Sequence, residues 1–164
     1  MDKHTSDSQV IAALRRRAVN DVKEKKFDDA VEALNEIIAI DPRNFQSVFQ
    51  LAQIFFVQKK YTGSEEMCQK ALIINPQDLR PWLILGNIFV ATGNFDKVVT
   101  QLPTALSMHP ENFQLNYIVG YGFAKKGELF KAKKYLDTAA KIQPTNPKVK
   151  QALAIVNKAM SARR

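Results

Sequence analysis

Few residues in the sequence have the types and spacing that catalysis or metal binding requires. His4 lies in a polar opening stretch, His109 precedes a proline, and Cys68 occupies an apolar position typical of a small buried hydrophobe. One cysteine and two histidines are too few for a zinc cluster or a disulfide framework. The sequence contains no glycine-rich phosphate loop. We therefore predict no catalytic residue, no metal site and no cofactor, and a protein that is not an enzyme.

Lysines that could bind an anionic partner are concentrated in the last quarter of the chain. Residues 125–164 carry eleven lysines and arginines against two acids, a net charge of +9, whereas the whole chain carries +8. We define a basic end by six of them: Lys131, Lys134, Lys141, Lys148, Lys150 and Lys158. It is either a solvated surface or a site for anionic lipid headgroups or an acidic protein. Nucleic acid is disfavoured, because no recognition motif or interleaved aromatic residue accompanies these lysines.

Composition places the chain of 164 residues among ordinary globular proteins, with 46% hydrophobic and 24% charged residues. The opening stretch is polar and of mixed charge, which predicts no secretory signal. No apolar run approaches the roughly 20 residues that span a bilayer. We expect a cytoplasmic protein, with peripheral membrane contact through the basic end as an alternative.

The prolines mark an internal repeat. Pro42, Pro76, Pro110 and Pro144 are equally spaced along the chain, and each follows a short aliphatic run. Two residues after each proline stands a strong helix N-cap: Asn44, Asp78, Asn112 and Asn146. A second break in the middle of each unit, such as Gly93-Asn94, divides it into two helices of about 13 to 14 residues.

This unit resembles the tetratricopeptide repeat (TPR), a helix pair with a period of about 34 residues. The third unit matches the TPR pattern best, with Trp82, Leu85, Gly86 and Phe89 followed by Leu102, Ala105 and Pro110. The resemblance covers residues 11–146 and implies an all-α fold, a right-handed α-solenoid of helix–turn–helix TPR repeats. The implied division is a tail over 1–10, repeats over 11–44, 45–78, 79–112 and 113–146, and a capping helix with a short tail over 147–164.

Three departures from the TPR pattern carry structural expectations. Arg17 and Asp21 replace a leucine and an aromatic residue, which suits a first helix with no preceding neighbour. Pro103 lies inside the second helix of the third repeat, where we expect a kink or a break. Gly122 costs its helix up to about 1 kcal/mol relative to alanine, and is either tolerated or widens the groove.

In TPR proteins one stripe of each first helix lines a concave groove, so the resemblance implies a binding site. The implied lining is Arg15, Val19, Phe49, Gln53, Phe56, Arg80, Leu83, Asn87, Tyr117 and Tyr121. Its aromatic residues are either anchors for a partner or packing residues between neighbouring helices. A C-terminal carboxylate is not the expected ligand, because Val19 and Ile84 replace polar residues of the subfamily that binds one.

The resemblance implies a non-enzymatic interaction module or scaffold that binds a peptide or helix of a partner protein in its groove. Two alternatives stay open. One is a homo-oligomeric scaffold that self-assembles on a membrane-bound structure, in the manner of a magnetosome-type TPR coat. The other is a chaperone for secreted substrates in a bacterial secretion system. The fold alone does not decide among them.

Overall fold

Nine α-helices and no strand make up the part of the chain that the structure describes. The computed structural model describes residues 3–162, with side chains from Ser6 onward. The predicted all-α fold class is confirmed, and no helix within these residues has the length and apolar composition needed to cross a bilayer. The helices are α1 (Lys3–Lys23), α2 (Phe27–Ile40), α3 (Phe45–Val57), α4 (Tyr61–Ile74), α5 (Leu79–Ala91), α6 (Phe95–Met108), α7 (Phe113–Lys125), α8 (Leu129–Ile142) and α9 (Pro147–Ser161).

The chain forms two compact units, Met1–Ile84 and Leu85–Arg164, and the division falls within α5. In the first unit α1 packs on α2, α2 on α3, and α3 on α4. In the second unit α6 packs on α7, α7 on α8, and α8 on α9. Contacts between helices adjacent in sequence are those that helix–turn–helix repeats make.

The four predicted N-caps all bond to the helix that follows them. Their side-chain oxygens accept backbone amides of the first turn, at donor–acceptor distances of 3.2 Å for Asn44, 2.9 Å for Asp78, 2.9 Å for Asn112 and 3.1 Å for Asn146. These bonds satisfy amides that a helix N-terminus leaves without an intrahelical partner. Each first helix of repeats 2 to 4, and the capping helix, therefore begins where the cap residue predicts.

The turn inside each helix pair has a left-handed backbone at an equivalent position. The residues are Lys25, Lys59, Gly93 and Gly127, with φ of 60°, 58°, 69° and 74°. Glycine adopts this conformation without strain, whereas a side chain with a Cβ does not. The first two turns therefore hold a lysine where glycine is favoured.

Small residues allow paired helices of the first unit to approach closely. Ala18 of α1 and Ala30 of α2 are buried, as are Ala52 of α3 and Ser64 of α4. Ser64 Oγ donates to the carbonyl oxygen of Ala52 at 2.7 Å, so the buried hydroxyl is satisfied. Aliphatic side chains complete the core around α1 and α2: Leu34, Ile37, Leu51 and Ile54.

Glycines have the same role in the second unit. A Cβ on Gly122 of α7 would lie 2.4 Å from Cγ1 of Val98 in α6, and a Cβ on Gly120 would lie 2.8 Å from Cγ of Leu136 in α8. Both distances are shorter than a carbon–carbon contact allows. Gly122 therefore serves the close packing of α6 on α7 rather than a wider groove.

The polar pair of α1 forms ion pairs at the surface. Arg17 Nε lies 3.7 Å from Oδ2 of Asp21 on the same helix. Its Nη2 donates to Oε2 of Glu32 at 2.8 Å, and its Nη1 lies 3.5 Å from Oε1 of Glu36, both on α2. These exposed pairs contribute little stability, and they replace the apolar contact that the TPR pattern has at these positions.

Residues 3–10, which the sequence assigns to a tail before the first repeat, form the first turns of α1. A helix that has nucleated on packed residues extends at little cost, and this explains its length. Met1 and Asp2, the rest of the predicted tail, lie outside the described residues.

Of the expected kink or break at Pro103, the break is wrong, because α6 continues from Phe95 to Met108. The kink stays a prediction. Buried side chains flank the proline on both sides: Val98, Leu102, Ala105 and Leu106. Proline removes one helical amide. Burial of the apolar face on both sides holds the helix together across that position.

Candidate functional site

Three aromatic side chains one helical turn apart along α7 form what we call the aromatic ladder: Phe113, Tyr117 and Tyr121. The ring centroids of Phe113 and Tyr117 are 6.3 Å apart with planes 10° from parallel, and those of Tyr117 and Tyr121 are 6.3 Å apart at 22°. Phe95 of α6 meets Tyr121 edge-on at 6.0 Å. All three rings of the ladder are half-buried. Stacking therefore holds them in place, and part of each ring surface stays open to a partner.

The aromatic ladder lines two adjoining clefts of the second unit, which together we call the ladder cleft. The first, of about 570 Å³, is lined by Asn87, Val90, Phe113, Gln114, Tyr117, Ile118, Tyr121, Asn146, Pro147 and Lys148. The second, of about 470 Å³, is lined by Tyr117, Tyr121, Ala124, Lys125, Lys148, Gln151, Ala152, Ile155 and Val156. Tyr117, Tyr121 and Lys148 belong to both clefts and so stand at the centre of this surface.

The polar groups of the ladder cleft suit a peptide ligand. Amide side chains that can bond to a peptide backbone are contributed by Asn87, Gln114 and Gln151. Lys125 Nζ lies 5.3 Å from the centroid of the Tyr121 ring. The cleft thus combines apolar rings with hydrogen-bonding amides and two ammonium groups.

Burial is the main cause that raises the pKa of Tyr117, and the neighbouring Tyr121 adds to it. The Tyr117 phenol is therefore neutral at physiological pH and can donate a hydrogen bond to a bound segment.

The predicted lining of the first unit includes one aromatic residue that is covered. Phe49 is only 4% exposed, and it stacks on Phe45 with centroids 5.9 Å apart and planes 8° from parallel. The Arg80 guanidinium carbon lies 4.8 Å from the Phe49 centroid and 5.2 Å from the Phe45 centroid. Asp78 accepts a hydrogen bond from Nη2 of Arg80 at 2.7 Å, and this bond raises the pKa of Arg80. Phe49 is therefore a packing residue, and its ring is not exposed as an anchor for a partner.

The other predicted lining residues of the first unit form no comparable aromatic cluster among its described residues. Phe56 is half-buried beside Tyr61 of α4, with ring centroids 6.0 Å apart. Leu83 is half-buried, whereas Gln53, Arg15 and Val19 are exposed. Of the ten predicted lining residues, the structure brings Asn87, Tyr117 and Tyr121 together in the ladder cleft.

The six lysines of the basic end are all exposed, but their surroundings differ. Lys131 Nζ lies 2.7 Å from Oε2 of Glu128, and Lys134 Nζ lies 5.9 Å from the centroid of the adjacent Tyr135 ring. Lys148 belongs to the ladder cleft. Lys141, Lys150 and Lys158 are surface groups of α8 and α9, and Arg163 and Arg164 lie outside the described residues.

Sequence reasoning missed Phe113, Ile118 and Lys125 of α7, and the wall of the ladder cleft that α9 supplies. Two of these, Phe113 and Lys125, extend the line of Tyr117 and Tyr121. Phe113 precedes Tyr117 by four residues and Lys125 follows Tyr121 by four, so helical spacing could have found both. The wall of α9 is formed by Ala152, Ile155 and Val156. These residues lie in the segment over 147–164 that the sequence predicts as a capping helix with a short tail.

The first unit has a cleft of its own that the sequence did not indicate. It has about 490 Å³ and is lined by Asn35, Ile38, Pro42, Arg43, Val48, Leu51, Met67, Lys70, Ile73 and Ile74. Its lining is mostly aliphatic and includes no aromatic residue. We take the ladder cleft as the candidate site, because stacked rings give a partner fixed anchoring surfaces.

The cysteine, histidine and acidic side chains are the groups of this chain that could act as nucleophiles or metal ligands. Burial raises the pKa of the Cys68 thiol to about 12, so this thiol stays protonated. Among the residues that the structure describes, no three His, Cys, Asp or Glu side chains are grouped to hold a metal ion. His4 has no described side chain.

Comparisons with known proteins agree with the repeat and the helices. A tetratricopeptide repeat family model matches residues 12–78, whereas no curated protein matches the sequence. A solved structure of a MamA protein has a TM-score of 0.86 at 16% identity, and the match covers 95% of this chain and 85% of that one. MamA from Desulfovibrio magneticus RS-1, residue 41 to its end, gives 0.83 at 14%, covering 93% and 86%. A tetratricopeptide repeat protein from Parabacteroides merdae ATCC 43184 gives 0.85 at 17%, covering 94% and 61%.

At these identities the likeness to solved structures shows the fold alone. The family model matches residues 12–78, and the regular spacing of the prolines is that of a tetratricopeptide repeat. The chain is therefore similar to tetratricopeptide repeat proteins in the repeat of its sequence and in its helical fold.

Proposed function

We propose that this protein is a non-enzymatic interaction module that binds a peptide or helix of a partner protein at the ladder cleft. The TPR fold suggests a protein–protein interaction scaffold. The observation that carries the proposal is the aromatic ladder, whose stacked and half-buried rings line two clefts. Aromatic side chains in such positions contribute a large share of interface binding energy.

The ladder cleft is favoured over the predicted lining of the first unit. Phe49 is covered by Arg80 and has little surface to offer a ligand. Tyr117 and Tyr121 keep part of their rings open. A partner that binds through aromatic contacts therefore has its anchoring surface on α7.

The test is a pull-down from the source cell with the full chain. The double variant Tyr117→Ala/Tyr121→Ala should lose partners that the wild type captures. Val57→Ala is the control, since Val57 is 64% exposed on α3 and lies outside the ladder cleft. Thermal unfolding of each variant is the control for folding. An unchanged partner list for the double tyrosine variant would reject the ladder cleft as the binding site.

Self-assembly into a scaffold is the second candidate. The supporting observation is that Ile73 and Phe130, large hydrophobic side chains, are 79% and 82% exposed. Exposed apolar groups of this size favour contact with another surface. Sedimentation velocity over a range of concentrations should show oligomers that Ile73→Ser/Phe130→Ser reduces, and a monomer under all conditions would reject this candidate.

A peripheral role for the basic end is a further part of the proposal. Lys141, Lys150 and Lys158 are exposed and make no ion pair with any described residue, which leaves them free to meet anionic lipid or an acidic protein patch. Sedimentation with anionic vesicles at low salt tests the lipid contact, and absence of binding there would identify an ordinary solvated surface. The cytoplasmic location and the chaperone alternative stay predictions.

A further inference from the structure

We propose that the segment bound at the ladder cleft is acidic, with carboxylates that pair with Lys148 and Lys125 and an aromatic or aliphatic side chain that packs on the aromatic ladder. This inference rests on the proposed function and names the chemistry of the partner. Two observations support it. The ladder cleft is positively charged, and in the first unit a cation beside stacked rings is already paired with a carboxylate.

The ladder cleft has an uncompensated positive charge. Its lining includes Lys125 and Lys148 and, among the described residues, no Asp or Glu. Lys148 is shared by both clefts, and Lys125 lies over the ring of Tyr121. A ligand that fills the cleft therefore meets two ammonium groups beside apolar rings, where contact excludes water and strengthens electrostatic interactions.

The acids of the second unit are bound elsewhere. Asp96 pairs with Lys126, Glu128 with Lys131 and Asp137 with Lys133. The remaining acid among the described residues of this unit, Glu111, does not line the cleft. The protein does not neutralise Lys125 and Lys148 with its own described carboxylates, so a partner can.

The first unit shows the same arrangement in a completed form. Phe45 and Phe49 stack one turn apart on α3, and the Arg80 guanidinium lies over both rings. Asp78 pairs with Arg80 at 2.7 Å and also caps α5, the helix that carries Arg80. A cation beside stacked rings is thus matched there by a carboxylate two residues earlier.

The second unit has stacked rings, a cap residue and a cation at the equivalent positions, but no carboxylate. Two repeat lengths after the four positions of the first unit stand Phe113, Tyr117, Asn146 and Lys148. Asn146 caps α9 as Asp78 caps α5, but its amide carries no charge. The anion that Asp78 supplies in the first unit is missing beside Lys148, and an acidic ligand restores it. A basic ligand would meet like charge at the same place.

The experiment begins with random-peptide phage display on the full chain. Selected peptides should be enriched in Asp and Glu next to an aromatic or aliphatic residue. The most enriched peptides are then synthesised with a fluorophore, and their Kd is measured by fluorescence anisotropy at low and high salt. Exposed ion pairs predict a weakening of about threefold to fivefold for each lysine removed, and weaker binding at high salt.

Three variants make the measurement specific. Lys125→Gln/Lys148→Gln should weaken binding about tenfold, whereas Lys23→Gln/Lys60→Gln removes the same charge at exposed positions outside the cleft and the basic end and should leave Kd within about twofold. Asn146→Asp is the sharpest test, because Asp is an equally good N-cap and places a carboxylate beside Lys148. It should reduce affinity for acidic peptides without loss of thermal stability.

The outcomes separate this inference from the proposed function. Peptides that need Tyr117 and Tyr121 but show no enrichment in acids would overturn the inference and leave the proposed function standing. Equal weakening by both lysine pairs would also overturn it, since the attraction would be diffuse. Failure to select any peptide that depends on the two tyrosines would count against both. A dimer that Tyr117→Ala/Tyr121→Ala dissociates would identify a second copy as the occupant and overturn the inference.

Discussion

The guanidinium carbon of Arg80 lies 4.8 Å from the centroid of the Phe49 ring, and Asp78 bonds to the same guanidinium. The guanidinium covers Phe49, an aromatic side chain whose position in the repeat predicts that it lines the groove. A charged residue here serves packing, because its flat cation covers the ring while its outer edge stays in water.

Arg80→Ala should lower the free energy of unfolding by about 1 kcal/mol, through loss of the cation–π contact and exposure of Phe49. Urea denaturation followed by circular dichroism measures the change. Arg16→Ala is the control, since Arg16 is an exposed arginine of the same unit. Equal stability of the two variants would show that the contact with Phe49 adds nothing.

Gly122→Ala should destabilise the protein by about 1 to 3 kcal/mol, although alanine is the better helix former. The added Cβ would lie 2.4 Å from Val98 Cγ1, so α6 or α7 must shift. Gly63→Ala is a matched substitution with a nearest contact of 3.1 Å, to Phe55 Cδ2, and should cost less. Thermal unfolding of the two variants ranks them, and the reverse order would contradict the packing assigned to Gly122.

Substitution at the left-handed turn positions should act through the backbone alone. Lys59→Gly should stabilise the protein by about 0.5 to 1 kcal/mol, because lysine has a φ of 58° there. Gly93→Ala should destabilise it by about 1 kcal/mol, since alanine is strained at a φ of 69°. No neighbouring atom lies within 4 Å of the added Cβ, so a steric clash does not contribute. Chemical denaturation measures both, and changes of the same sign would refute the strain argument.

Cys68 should resist alkylation in the native protein and react once the chain unfolds. Burial raises the pKa of its thiol to about 12, above the ordinary value of 9.0. The native state therefore favours the neutral thiol, and this stabilisation is complete below about pH 9 and disappears as the pH rises toward 12. Iodoacetamide labelling near pH 8, with and without denaturant and read by mass spectrometry, checks the burial. Rapid labelling without denaturant would contradict it.

Local signals account for the part of the fold that the sequence predicted correctly. Asn44 and Asn146 cap their helices with bonds to amides two or three residues away, so no distant contact is needed to place these helix ends. The break at Pro103 was mispredicted for the opposite reason. Packing of α6 on α7 involves residues far from Pro103 in sequence, and it outweighs the local preference of proline.

The candidate site was predictable as a set of residue types but not as a surface. Phe49 and Tyr117 occupy equivalent positions two repeats apart, so the repeat pattern treats them alike. Phe49 is buried beneath Arg80, whereas Tyr117 is half-buried and lines a cleft with Lys148. The two units differ two helices further along the chain, where Arg80 of α5 follows Asp78 and Lys148 of α9 follows Asn146.

The repeat period and the helix ends follow from the sequence, because spacing and capping act over a few residues of chain. Three features depend on side chains from other helices: the aromatic ring that is covered, the lysine that has an acidic partner, and the glycine that close packing requires. These are properties of packing at atomic distances, and a repeat pattern that is averaged over four units does not contain them.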